Sequence, residues 1–151
     1  MSSGSRIVQV AVVVLGLLFL PGCGCGVPEK REVALPPRDA SPEQVLRTYF
    51  DAIVGQDANT FRAVLTLDTD FWYEFDAPDA PFRTWFSASD LRIEGPYEDG
   101  DCRRGATCVA MVTTFVLSRC LLDEWPGGLQ STSFGLRLVD GRWLVYGHGD
   151  G

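Results

Sequence analysis

The sequence predicts an α+β domain in which N-terminal helices come first and pack on a four-stranded antiparallel sheet. Three observations carry this. A capped, amphipathic segment begins at Ser41, the apolar period switches from 3.6 to two after Ser87, and Asp140-Gly141 sits between two apolar runs as a two-residue hairpin turn.

The first element is the clearest. Ser41-Pro42-Glu43-Gln44 reads as a capping box, with Ser at the N-cap, Pro where a missing N–H costs nothing, and Gln at N3. Val45, Leu46, Tyr49, Phe50 and Ile53 then form one apolar stripe. Gly55 is expected to close the helix as a left-handed C-terminal cap. A second, shorter helix starts at Asp57, with Phe61, Val64 and Leu65 inward. Residues 66–86 mix aromatics with acids, and Pro78 and Pro81 forbid one long helix. One or two helical turns are expected here, packing Phe71, Trp72, Phe75, Trp85 and Phe86 onto the domain.

Four strands follow. In the first, Leu91, Ile93 and Tyr97 are expected to share a face, with a turn at Asp99-Gly100. Cys108 to Ser118 is β-branched and apolar on both faces, which places it inside the sheet. Leu129 to Val139 and Trp143 to Tyr146 form the third and fourth strands, and Asp123 to Gly128 forms a surface loop before them.

Upstream of the domain, Ile7 to Leu20 is a 14-residue apolar run preceded by Arg6. It fits a secretory h-region and is too short for a span, which needs about 20 apolar residues. Leu20-Pro21-Gly22-Cys23 resembles the lipobox of bacterial lipoproteins, with Pro21 a departure from the usual residue at −2. The resemblance implies that residues 1–22 are a signal peptide and that Cys23 is lipidated. The expected location is then the cell membrane, lipid-anchored, facing outside the cytoplasm. Residues 23–40 read as the lipidated Cys and a flexible tether rich in Pro, Gly and charge, leaving 41–151 as the domain. Without residues 1–22 the chain carries 12 basic and 20 acidic side chains. That balance argues against nucleic acid and against docking on anionic head groups.

Cys25, Cys102, Cys108 and Cys120 remain for pairing in an oxidising compartment. Cys108 and Cys120 lie 12 positions apart on one extended stretch, about 40 Å at ~3.3 Å per residue, so they cannot pair. Cys102 and Cys108 flank a turn-rich loop and form the expected disulfide. Cys120 either reaches Cys25 or stays a buried thiol. A single His and no Cys-x-x-Cys spacing leave no expected metal site.

Two stretches, Ser41 to Ile53 and Val139-Asp140-Gly141-Arg142-Trp143-Leu144-Val145, resemble the opening helix and closing hairpin of the nuclear transport factor two-like superfamily. This group includes polyketide cyclase-like and ketosteroid isomerase-like proteins. The resemblance covers about residues 41–147 and implies a cone-like fold, with helices covering the concave face of a curved sheet. That fold hosts isomerases, dehydratases, scaffolds and binding domains, so it does not fix a function.

The residues that could meet a ligand or partner are Tyr49, Trp85, Tyr146 and His148. His148, between glycines at the chain end, reads as a mobile, solvated side chain. Asp68, Asp70, Glu74, Asp76 and Asp79 read as a solvated acidic face, since their spacing fits no calcium loop. No catalytic residue and no cofactor are expected. The function expected is a membrane-tethered envelope lipoprotein whose domain binds a small molecule or an envelope protein without catalysis. Its partners would be the membrane through the N-terminal lipid, and an envelope protein or small apolar ligand; a homodimer is compatible with the sequence. The alternative is a small cone-fold isomerase or dehydratase acting on a hydrophobic substrate. A buried carboxylate of raised pKa in an open cone favours the enzyme, and a cone plugged by Trp, Phe and Leu favours protein contact.

Overall fold

The structure, a computed structural model, describes residues 29–70, 72–119 and 127–150. The expected signal peptide, Cys23, Cys25, Phe71, Cys120 and Trp125 lie outside the described residues, as do the side chains of Trp72, Arg119 and Asp150. The architecture is α+β. Helices α1 (Pro42–Val54) and α2 (Ala58–Ala63), a π-helical turn (Trp72–Asp76) and a short α3 (Pro81–Thr84) precede strands β1 (Trp85–Tyr97), β2 (Cys108–Arg119), β3 (Gly128–Val139) and β4 (Arg142–Asp150). The strands form one antiparallel meander in the order β1-β2-β3-β4, and the helices pack against it. Among the described residues no helix is long and apolar enough to cross a membrane.

Helix α1 starts as its sequence dictates. Ser41 Oγ accepts from the Gln44 N–H at 3.2 Å, and the Gln44 side chain accepts from the Ser41 N–H at 2.8 Å. Its buried stripe, Val45, Leu46, Tyr49, Phe50, Ala52 and Ile53, presses on Phe115, Phe134, Leu136 and Val145 of the sheet. Phe50 makes edge contacts with Phe115 at 4.9 Å and Phe134 at 5.5 Å, each pair adding about 0.5–1.5 kcal/mol to the area buried.

The C-terminus differs from expectation. Gly55 is right-handed (φ −77°), and Gln56 adopts the positive φ of 53° instead. Gln56 holds that conformation by donating from its side chain to the carbonyls of Ile53 and Phe82. Glycine at 55 is needed for space: a Cβ there would stand 2.8 Å from Arg31 Cγ.

That contact belongs to a second correction. The C-terminal part of the expected tether is docked on the domain. Arg31 N–H donates to Gly55 O, Val33 N–H donates to Asp57, Thr60 Oγ1 donates to Val33 O, and Arg38 donates to Asp140 O. Asp57 thus serves two segments, capping α2 through Asn59 and Thr60 while holding Val33. These N–H donors, Val33 first, hold its carboxyl below the usual range.

Strand β1 begins at Trp85, so Trp85 and Phe86 are strand residues rather than parts of a helical turn. Register shifts interrupt β1 between Ser89 and Arg92 and between Glu94 and Tyr97. Such bulges bend a strand and re-aim its side chains. Leu91 and Ile93 pack against the core, but beyond the second shift Tyr97 is 50% exposed, so the three do not share a face. Strand β2 is internal, with Met111, Thr113, Phe115 and Leu117 buried. Strand β4 runs past Tyr146 to Asp150, and this extension carries His148 opposite Phe134. Its outer edge is covered: Leu65 bridges Val145, with Thr66 N–H donating to Val145 O and Val145 N–H to Val64 O, both at 2.9 Å.

Candidate functional site

The segment leaving α2 determines what lies over the open end of the sheet. Thr69 Oγ1 donates to Val145 O and shares a hydrogen bond with Thr66 Oγ1, which ties the segment to β4. On the other side Arg137 clamps Asp68 through both carboxylate oxygens, at 2.9 and 3.1 Å. The π-helical turn follows. Phe75 leaves it inward and stacks on Phe82 at 4.3 Å, with the Arg62 guanidinium 4.4 Å from its ring. With Phe75 so fixed, the neighbouring Glu74 is directed beneath the turn.

Glu74 is only 3% exposed. Tyr49 donates from its phenol to Glu74 Oε2 at 2.7 Å, and His148 Nε2 stands 3.1 Å from Glu74 Oε1. That separation is within hydrogen-bonding distance for an imidazole nitrogen and a carboxyl oxygen. Burial first, and then the Glu74 charge, push the Tyr49 phenol well above its ordinary value, which keeps it a donor. The His148 ring rests 5.4 Å from Phe134. Tyr49, Glu74 and His148, from α1, the π-turn and β4, are therefore one connected polar unit.

This unit borders a cavity of about 510 Å³. Glu74 and His148 line it directly, Trp85, Phe115, Leu117 and Pro81 give it apolar walls, and Thr132 and Gln130 add polar atoms from β3. Asp70, Tyr73 and Asp79 stand around its exposed side. An opening of this size, largely apolar with a few convergent polar groups, suits a small molecule. Chemically the unit can accept hydrogen bonds at Glu74, donate or accept at His148, and exchange a proton between them. Among the described residues no group of His, Cys, Asp and Glu is placed to hold a metal ion.

Three of the four residues singled out in the sequence, Trp85, Tyr146 and His148, line the cavity. Tyr49 is fully buried behind Glu74 and reaches the cavity through it. His148 is not a mobile end: it is paired in β4, with a side chain 29% exposed. Glu74 is the residue that sequence reasoning missed, because it was grouped with solvated neighbours. Its flanking Tyr73 and Phe75 were the available signal, an acid set within an aromatic run.

Tyr146 belongs to both the cavity and the outer side of the sheet. Its ring lies on Gly135, where a Cβ would come within 2.5 Å of it, and under the Arg137 guanidinium at 4.7 Å. Its hydroxyl donates to Asp99. Burial, reinforced by Asp99, pushes this phenol up to about 12. Asp99 opens the loop between β1 and β2, in which Cys102 and Cys108 face one another with their sulfurs in bonding contact and Cα atoms 5.7 Å apart. That loop also sends Arg103 to Asp68 at 3.3 Å.

No family model and no curated protein sequence matches the chain. Among solved structures, the chain is similar to a SEC-C motif containing protein from Rhodopseudomonas palustris, with 16% identity and a TM-score of 0.52. The match covers 74% of this chain and 79% of that one, and it is a likeness of fold alone.

Proposed function

We propose that this chain is a bacterial envelope lipoprotein, anchored through lipid on Cys23 and facing outside the cytoplasm. Its nuclear transport factor two-like domain binds a small molecule in the cavity above Glu74. One observation carries the reading: an open space of about 510 Å³ with apolar walls and a single buried polar unit at its border. A cavity that is open rather than plugged supports a small ligand over an envelope protein as the occupant. The test is a blocking substitution. Gln130 lies partly exposed on the cavity wall, so Gln130→Trp should fill the space while leaving the core intact. Native mass spectrometry of protein purified from membranes should show a retained small molecule on the wild type and none on the variant. Equal loading of both would refute the cavity as the site.

The Glu74–His148 contact favours a second reading, a cone-fold isomerase or dehydratase acting on a hydrophobic substrate. A carboxylate and an imidazole 3.1 Å apart at a cavity wall can relay a proton to and from one bound molecule. In that case Glu74→Gln should keep the ligand but lose turnover by at least about a hundredfold, the usual contribution of a general base. Unchanged turnover would reject catalysis by this pair.

A further inference from the structure

We propose that the Cys102–Cys108 pair is a redox-controlled latch on the cavity. Bonded, it fixes two stretches of the cavity border, and its reduction loosens both. The device goes beyond the ligand reading above and rests on it only for the affinity measured below.

The loop from Asp99 to Cys108 reaches the border at two places. Asp99 accepts from the Tyr146 phenol, and Arg103 meets Asp68 at 3.3 Å. Tyr146, Gly147 and His148 line the cavity from β4, and Thr69 and Asp70, directly after Asp68, line it from the segment leaving α2. Arg137 completes the circuit, clamping Asp68 while its guanidinium lies 4.7 Å from the centre of the Tyr146 ring. The contacts thus leave the loop at Asp99 and return to it at Arg103.

The cysteines sit where this circuit is anchored. The Cys102 N–H donates to Asp99 O, and Cys108 is the cross-strand partner of Arg137. Joined, they hold the Asp99 end of the loop against the β2–β3 pair. Singly, the hooks are weak. The Arg103 side chain is 73% exposed and that of Asp68 37%, and exposed ion pairs contribute little by themselves. Covalent closure keeps the partners near one another and raises their effective concentration. The hooks therefore depend on the bond between the sulfurs.

A reductant can reach that bond. Cys102 and Cys108 are half-buried, and Asp101, Arg103, Arg104 and Gly105 around them are exposed. The co-reactant is a dithiol. Its thiolate attacks one cysteine sulfur and expels the other as a thiolate, and its second thiol then displaces the cysteine held in the mixed disulfide. The cysteines gain two electrons and two protons, and the dithiol leaves as a disulfide.

The test uses full-length protein in nonionic detergent, oxidised or reduced with dithiothreitol, and reads amide NMR and calorimetric binding of 4-phenylbutanol. Reduction should shift or broaden the amides of Thr69 and Gly147, while those of Leu46 and Ile53 in α1 stay in place. It should weaken the probe at least about fivefold, an ordinary coupling between two sites, and reoxidation should restore it. Cys102→Ser/Cys108→Ser should match the reduced protein and ignore dithiothreitol, which separates this pair from the other cysteines. Asp99→Ala/Arg103→Ala removes both hooks and keeps the bond. It should bind like the reduced wild type, and dithiothreitol should then neither move Thr69 nor change its affinity further. A wild type that binds equally in both states, or a hookless variant that still responds in full, overturns the latch. So does peptide mapping that finds both thiols free in protein taken from membranes. A probe that binds neither state overturns the cavity reading, and the Thr69 and Gly147 amides then decide the latch.

Discussion

Two tyrosines in this molecule each donate to a carboxylate, and their surroundings make them different devices. Tyr49 and Glu74 meet at 2.7 Å in the core, with His148 on the second carboxylate oxygen. Tyr146 and Asp99 meet at the outer side of the sheet, beside the Arg137–Asp68–Arg103 network. In the first pair every partner is fixed by packing on three elements, so removing one strands a buried polar group. In the second, the acid sits in a loop and water can replace it. The contrast teaches that the same hydrogen bond organises a site only where solvent is excluded.

The largest expected effect comes from breaking the packing behind the first pair. Phe134 touches Tyr49, Phe50 and His148, so Phe134→Ala should cost about 3–5 kcal/mol in denaturant unfolding. Next comes the loop holding Asp99. If Cys102 and Cys108 form the expected disulfide, their double replacement by Ser should cost about 2–3 kcal/mol. Non-reducing peptide mapping that finds both thiols free would remove that support from the second pair.

A direct comparison of the pairs follows. Glu74→Ala leaves the Tyr49 hydroxyl buried without its acceptor and should cost about 1–3 kcal/mol. Asp99→Ala, whose tyrosine can turn to water, should cost less than about 1 kcal/mol. Equal costs would mean that burial does not separate them.

Titration sharpens the comparison from the other side. Tyr146 is raised from 10.0 to about 12 in the folded chain. Its contribution to stability is therefore complete below pH 10 and is lost as pH climbs toward 12. Phenolate absorbance should show Tyr146 ionising in that range, removed by Tyr146→Phe, with Tyr49 ionising only on unfolding. At the acid end Asp68, lowered from 3.8 to about 2 chiefly by Arg137, contributes stability above 3.8 that fades as pH falls toward 2. Because Asp68 is 37% exposed, this is the smallest effect, and Asp68→Asn should flatten that part of the pH–stability curve.

Much of the fold was legible because its signals are local. The Ser41–Gln44 box, the stripe ending at Ile53, the Asp57 cap and the Asp140-Gly141 turn each need only neighbours in sequence. What was not legible depends on contacts far along the chain. Gly55 reads as a left-handed cap until Arg31 is seen lying against it. Tyr97 reads in phase with Ile93 until the shift before it is known. Glu74 reads as solvated until a π-helical turn, held by Phe75 on Phe82, carries it under the surface to Tyr49. His148 joined the site because β4 continued through Gly147, which the glycine-rich composition argued against.

The most direct test of the central claim, a small-molecule site at the buried pair, is an amide NMR titration of the full-length protein with a neutral apolar probe, 4-phenylbutanol. The account predicts that the amides of Glu74, Thr132 and His148 shift together in one saturable phase, while those of Asp99 and Arg103 stay in place. Shifts confined to the Asp99 side, or none at saturating probe, would contradict it.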